Sequence, residues 1–173
     1  MHSLILGGAR SGKSALAERL ARDSGREVVY VATAQARDGE MATRIAHHRA
    51  QRPAQWHCVE EPLALADVLR AQAGEDRCVL VDCLTLWLSN LLGDPDPDCF
   101  MREREALLQT LPGLPGDILF VSNEVGLGIV PLGELSRRFV DETGRLHQAL
   151  GAQCGRVVFV AAGLPLLLKG TLA

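Results

Sequence analysis

Leu4-Ile5-Leu6-Gly7-Gly8-Ala9-Arg10-Ser11-Gly12-Lys13-Ser14 decides the fold. Its last eight residues match G-x-x-x-x-G-K-[ST], the phosphate-binding P-loop, and an apolar strand-like run leads straight into them. Glycines at Gly7, Gly8 and Gly12 let the backbone wrap a polyphosphate so that N–H groups point at its oxygens. Lys13 can then reach the β- and γ-phosphates, and the Ser14 hydroxyl can ligate Mg²⁺. The amphipathic segment Lys13–Asp23 supplies the following helix, whose positive end faces the anion. The expected ligand is a nucleoside triphosphate.

Outward from this run, apolar segments alternate with helical patterns. Strands are expected at Ser3–Leu6, Val28–Ala32, Cys78–Asp82, Ile118–Ser122 and Val157–Ala161. Continuous rather than alternating apolarity suits strands buried on both faces of a parallel sheet. Helices are expected at Lys13–Asp23, Gly39–Gln51, Pro62–Ala73, Leu84–Leu92, Phe100–Leu111 and Leu132–Leu150, with Pro62 at a first helical position and Gly93 as a stop. The pattern predicts one α/β domain over residues 1–173, mostly parallel, with ligands at the carboxyl ends of the strands.

Composition narrows the class. The chain has 173 residues, 47% hydrophobic and 23% charged, with a formal net charge of −3, which argues against a general nucleic-acid or anionic-membrane binder. Five cysteines without C-x-x-C spacing suit reduced, mostly buried thiols better than a disulfide frame or a zinc site. The N-terminus runs into the P-loop without a signal-peptide pattern. Val157–Leu168, the longest apolar stretch, is too short for a bilayer and is interrupted by Gly163 and Pro165. A soluble cytoplasmic protein without membrane insertion is expected.

Candidate chemistry lies in four further places. Cys78-Val79-Leu80-Val81-Asp82 has the form of a Walker-B strand, whose terminal Asp82 would hold Mg²⁺ beside Ser14. In Gly39–Pro53, helical spacing aligns Met41, Ile45 and His48 on one face and turns His47 about 100° away. Arginines 44, 49 and 52 surround the pair, so a neutral nucleophilic imidazole and a solvated surface helix are both open on the residues alone. Adjacent histidines diverge on a helix, which disfavours a metal pair. Glu60 and Glu61 precede Pro62, where a helix-dipole role fits as well as a functional one. Asn123–Pro131, with Gly126 and Gly128, places polar groups and a pliable loop after the fourth expected strand. No N-K-x-D segment reads a guanine base.

Taken together, Gly7–Ser14, Tyr30–Ala34, Arg44–Arg49, Arg52-Pro53 and Asn123–Pro131 resemble the bifunctional adenosylcobinamide kinase/adenosylcobinamide-phosphate guanylyltransferase family of cobalamin synthesis. The resemblance runs from about Leu4 to about Pro165. It implies a RecA-like P-loop NTPase domain, a homotrimer with active sites near subunit boundaries, and GTP, ATP and Mg²⁺ as cofactors. It also implies two reactions: phosphorylation of adenosylcobinamide, then transfer of GMP to adenosylcobinamide phosphate through a guanylyl-histidine. Carried over by position, the nucleophile matches His48, and Lys13 serves both steps. Nucleotide contacts match Gly7, Gly8, Ala9, Arg10, Ser11, Gly12, Lys13, Ser14, Ala32, Thr33, Ala34, Arg49, Ala50, Gln51, Arg52, Glu60 and Asp82, with any contact from Ala50 made by its backbone. Two rival readings are a small-metabolite kinase without a covalent intermediate and a nucleotide-gated binding protein. The paired histidines and the missing N-K-x-D count against the second.

Overall fold

The computed structural model describes residues 1–35, 53 and 55–172; the expected helix Gly39–Gln51 lies outside them. Seven strands form one sheet in the order β3-β2-β4-β5-β1-β6-β7. They are β1 (His2–Gly7), β2 (Glu27–Ala32), β3 (His57–Glu60), β4 (Arg77–Asp82), β5 (Asp117–Asn123), β6 (Arg156–Ala161) and β7 (Leu164–Lys169). Every pairing is parallel except that of β6 with β7. The described helices are α1 (Lys13–Asp23), α2 (Leu65–Gln72), α3 (Leu84–Leu92), α4 (Cys99–Thr110) and α5 (Glu134–Gln153), with a 3₁₀ turn at Leu111–Gly113.

Burial on both faces explains the continuous apolar runs. Leu4, Leu6, Val29, Val31, Val79, Val81, Ile118 and Phe120 join a core completed by side chains of α2 to α5, including Trp87 and Leu146. Their sequence neighbours Ile5, Val28, Tyr30, Cys78, Leu80, Leu119 and Val121 point the other way, against Leu16, Ala17 and Ala21 of α1. Strict alternation of faces along apolar strands is what a sheet covered on both sides demands. None of the five cysteines joins a disulfide; Cys78, Cys83, Cys99 and Cys154 are buried and Cys58 is exposed. No helix among the described residues is long and apolar enough to cross a membrane.

Three expectations need correction. Two strands were not anticipated, β3 and β7, and both are edges of the sheet. Helix α2 begins at Leu65 rather than Pro62, because Glu60 is held extended against Ala32 and Glu61 turns the chain. The Glu61 carboxylate accepts the N–H groups of Leu63 at 2.8 Å and Ala64 at 2.9 Å, so it organises this helix entry. Helix α5 starts two residues later than Leu132 and runs three beyond Leu150. Gly93 does stop α3.

Candidate active site

The turn between β1 and α1 is built for close approach. A Cβ on Gly7 would lie 2.5 Å from both the Ser11 Oγ and the Val160 carbonyl, so only glycine fits where β1 ends. Gly12 adopts φ +95°, and its Cα side faces Gly163 of the β6–β7 turn. That turn braces the loop directly, because the Gly163 N–H donates to the Ser11 carbonyl at 2.8 Å. Arg10 also takes a left-handed conformation, and Ala9 and Arg10 form the exposed tip. Gly7 to Gly12 therefore curl as one concave run of backbone ahead of α1, which Lys13 and Ser14 open.

Two features inside the curl suit a phosphate. The Ser11 Oγ is buried without a hydrogen-bond partner among the described residues, an arrangement rare unless a ligand completes it. Lys13 is buried, and its Nζ donates to the Gly8 carbonyl at 3.1 Å. Burial pulls its ammonium below the ordinary value, while the nearby Cys83 and Asp82 oppose that shift. Burial also pushes the Cys83 thiol up, so the standing counter-charge is Asp82. A polyphosphate supplies better acceptors to this lysine than one carbonyl does.

Strand register assembles the rest of the edge. Ala32 pairs with both Glu60 and Asp82, so the ends of β3, β2 and β4 line up in a row. Strand β5 is inserted between β4 and the P-loop strand, pairing Val121 with Asp82 and Asn123 with Gly7. Tyr30, itself buried, donates its hydroxyl to the Asp82 Oδ2 at 2.9 Å and fixes the carboxylate. Thr33 bridges β2 to the start of α3: its hydroxyl donates to the Cys83 carbonyl and accepts the Cys83 N–H. Asn90 donates to the carbonyls of Thr33 and Pro62, tying Ala32–Ala34 to α3. Thus Gly7–Ser14, Ala32–Ala34, Glu60 and Asp82 share one rim, while His48, Arg49, Ala50, Gln51 and Arg52 lie outside the described residues.

Several residues support this site from a distance. Gly163, Tyr30 and Asn90 act through long-range contacts that no local motif announces. Another group meets where β5 ends: Nε2 of the buried His147 lies 2.7 Å from the Ser122 Oγ. Its Nδ1 lies 3.7 Å from the Glu124 carboxylate. A histidine on the stripe Thr143, Leu146, His147, Leu150 was the available signal, since that spacing marks a buried helix face. Beyond Glu124 the chain carries exposed apolar side chains at Leu127, Ile129, Val130, Leu132 and Leu135.

The chain is similar to known proteins in fold and in sequence. Solved structures similar to the chain include the RadB recombinase, with TM-score 0.53 and 18% identity over 91% of this chain and 73% of that one. PH0250 from Pyrococcus horikoshii OT3 aligns with TM-score 0.54 and 11% identity over 98% and 86% of the respective chains. At such identities they establish the RecA-like fold. The bifunctional adenosylcobalamin biosynthesis protein CobP of Pseudomonas aeruginosa is 66% identical over 170 residues, covering 98% of each chain. CobU of Escherichia coli K12, of the same description, is 40% identical over 98% of this chain and its whole length. The family model described as cobinamide kinase / cobinamide phosphate guanyltransferase matches residues 3–168, and the chain belongs to that family of bifunctional enzymes of cobalamin biosynthesis.

Proposed function

We propose that the protein phosphorylates adenosylcobinamide with ATP or GTP and then transfers GMP from GTP to the new phosphate, giving adenosylcobinamide-GDP. The observation that carries this reading is the single rim holding the P-loop, Asp82, Ala32–Ala34 and Glu60, in a chain of this family. In the first step the substrate hydroxyl attacks the γ-phosphorus and the bond to the β-phosphate oxygen breaks. Backbone N–H groups of Gly7–Ser14 and the Lys13 ammonium stabilise charge on the transferring group, the chief need of phosphoryl transfer.

The Ser14 hydroxyl and Asp82 carboxylate form an oxygen-only donor pair, the chemistry that Mg²⁺ prefers, and Mg²⁺ there would neutralise the phosphates. Tyr30 holds Asp82 in place for that task. In the second reaction a neutral His48 imidazole attacks the α-phosphorus and pyrophosphate leaves, forming a P–N bond. A phosphate oxygen of adenosylcobinamide phosphate then attacks the same phosphorus, breaking that bond and freeing the imidazole. Arg49 and Arg52, near in sequence, would pair with phosphate oxygens, and Glu60 and Ala32–Ala34 would flank the nucleotide.

The same reading makes the chain one catalytic unit over residues 1–173, working in the cytoplasm as a homotrimer. Exposed leucines at 164, 166 and 168 on the edge strand β7 support self-association, since apolar side chains clustered on an edge favour burial. Incubation with α-labelled GTP followed by a denaturing gel tests the chemistry. An acid-labile label that adenosylcobinamide phosphate chases into product is expected, and His48→Ala should lose the label while keeping some kinase activity. Label retained by His48→Ala would move the nucleophile elsewhere; no label on the wild-type protein would leave only a kinase.

A further inference from the structure

Helix α5 packs an apolar face against the sheet, yet spends one fully inward position on a ring with two polar ends. Thr143, Leu146, His147 and Leu150 form its buried stripe, and a leucine in place of His147 would fill the space without the cost of burying an imidazole. Both ring nitrogens are met. Nε2 lies 2.7 Å from the Oγ of Ser122, which is fully buried, and Nδ1 faces Glu124 Oε2 at 3.7 Å. Glu124 in turn accepts the Gly126 N–H on Oε1 at 2.6 Å, and its own N–H donates to the Gly7 carbonyl at 3.0 Å. The ring therefore connects α5 to the residue that bends the chain out of β5, beside the first residue of the phosphate cradle. The carboxylate favours the tautomer with its proton on Nδ1, which leaves Nε2 to accept from Ser122. Burial holds the ring below its ordinary pKa, consistent with a neutral imidazole.

We propose that His147 is a positioning residue for the acceptor side of the reaction: through Nδ1 it orients Glu124, and through Glu124 the turn that carries residues 125–132 away from the phosphate cradle. This rests on the functional reading above. The acceptor must approach the γ-phosphate at this strand edge, where β5 is the neighbour of the P-loop strand. The nucleotide's own contacts lie on the P-loop and on the β2–β4 side of the edge. A loosened Glu124 therefore raises the acceptor KM and leaves the nucleotide half of the chemistry intact.

The two ring nitrogens can be tested separately. The amide of His147→Asn replaces the Nδ1 end, that of His147→Gln the Nε2 end, and His147→Leu keeps only bulk. With ATP saturating, His147→Leu should raise the KM for adenosylcobinamide about threefold to tenfold, the scale of a lost polar contact. His147→Gln should resemble it, and His147→Asn should recover most of the wild-type value. Labelling by GTP alone, which needs no acceptor, should stay within about twofold of wild type, because the nucleotide contacts are untouched. If His147→Leu folds poorly, Glu124→Gln disturbs the same contact from the loop side and should reproduce the rise in acceptor KM. An unchanged acceptor KM in both His147→Leu and Glu124→Gln overturns the proposal. So does a parallel fall in acceptor turnover, GTP labelling and Tm in all the His147 variants, which marks a packing role. Wild-type protein that turns over no adenosylcobinamide defeats the functional reading and this inference with it.

Discussion

The phosphate cradle and the end of strand β5 touch, yet they are made in opposite ways. The cradle is eight consecutive residues whose own order announces its shape, with Gly7 where no Cβ fits, Gly12 at positive φ and a helix starting at Lys13, while Val160 and Gly163 only brace it from β6 and the turn beyond. The corner at Ser122–Glu124 is assembled from distant parts, His147 on α5, Thr85 on α3 and Gly7 on β1. A local motif persists wherever its spacing persists. An assembled corner exists only when the whole sheet has registered, and its members can be exchanged one at a time. Binding of the common ligand, a nucleotide, suits the first kind of construction. Placement of a particular acceptor suits the second.

Breaking the cradle should give the largest effect. Lys13→Ala removes a buried cation from the transferring phosphate, and loss of such a preorganised group should lower both kinase and guanylyl-transfer rates by about 10²–10³-fold. Steady-state kinetics and GTP labelling check this, and a loss confined to one reaction would separate the sites that the comparison joins. Gly7→Ala acts on shape rather than charge. Its new methyl would meet a backbone carbonyl and the Ser11 hydroxyl, each 2.5 Å away, with no flexible side chain able to clear the carbonyl. Overpacking of this kind should cost about 1–3 kcal/mol of stability, readable as a lower urea midpoint, together with weaker nucleotide binding.

The same contrast explains what could be read from the chain. The P-loop, α1 and the five central strands were visible because their signals are local: fixed spacing, or apolar runs imposed by burial on both faces. The edge strands were hidden. His57-Cys58-Val59-Glu60 is short and largely exposed, so no apolar run marks it, and Pro165 suggested an interruption in β7. Proline, which has no N–H to donate, is tolerated there because one side of an edge strand makes no ladder hydrogen bonds. Asp82 was visible as the last residue of an apolar strand, but its clamp by Tyr30 spans 52 positions and left no trace in spacing. Glu60 and Glu61 are equivalent in sequence; pairing of Glu60 with Ala32 separates them, leaving Glu61 to cap and Glu60 at the end of β3 beside Ala32. For His48, helical phase and family resemblance remain the grounds, since that segment lies outside the described residues.

Acid titration gives the smallest effect and bears on the assembled corner alone. Burial lowers the pKa of His147 against the opposing pull of Glu124, so the folded state resists a proton that the unfolded chain accepts with a pKa near 6.5. When the folded pKa lies below the unfolded one, the unfolded state binds more protons between the two values. Stability is then complete above about 6.5 and declines as pH falls toward the folded value. His2 adds a contribution of the same sign, from its own burial and the adjacent terminal ammonium. Thermal unfolding followed from pH 7.5 down to about 5 should therefore show a falling Tm, and His147→Asn should flatten the slope without abolishing it, because His2 still titrates. The cradle, Gly7–Ser14, holds no histidine. A wild-type slope unchanged in His147→Asn would remove the corner from the acid response.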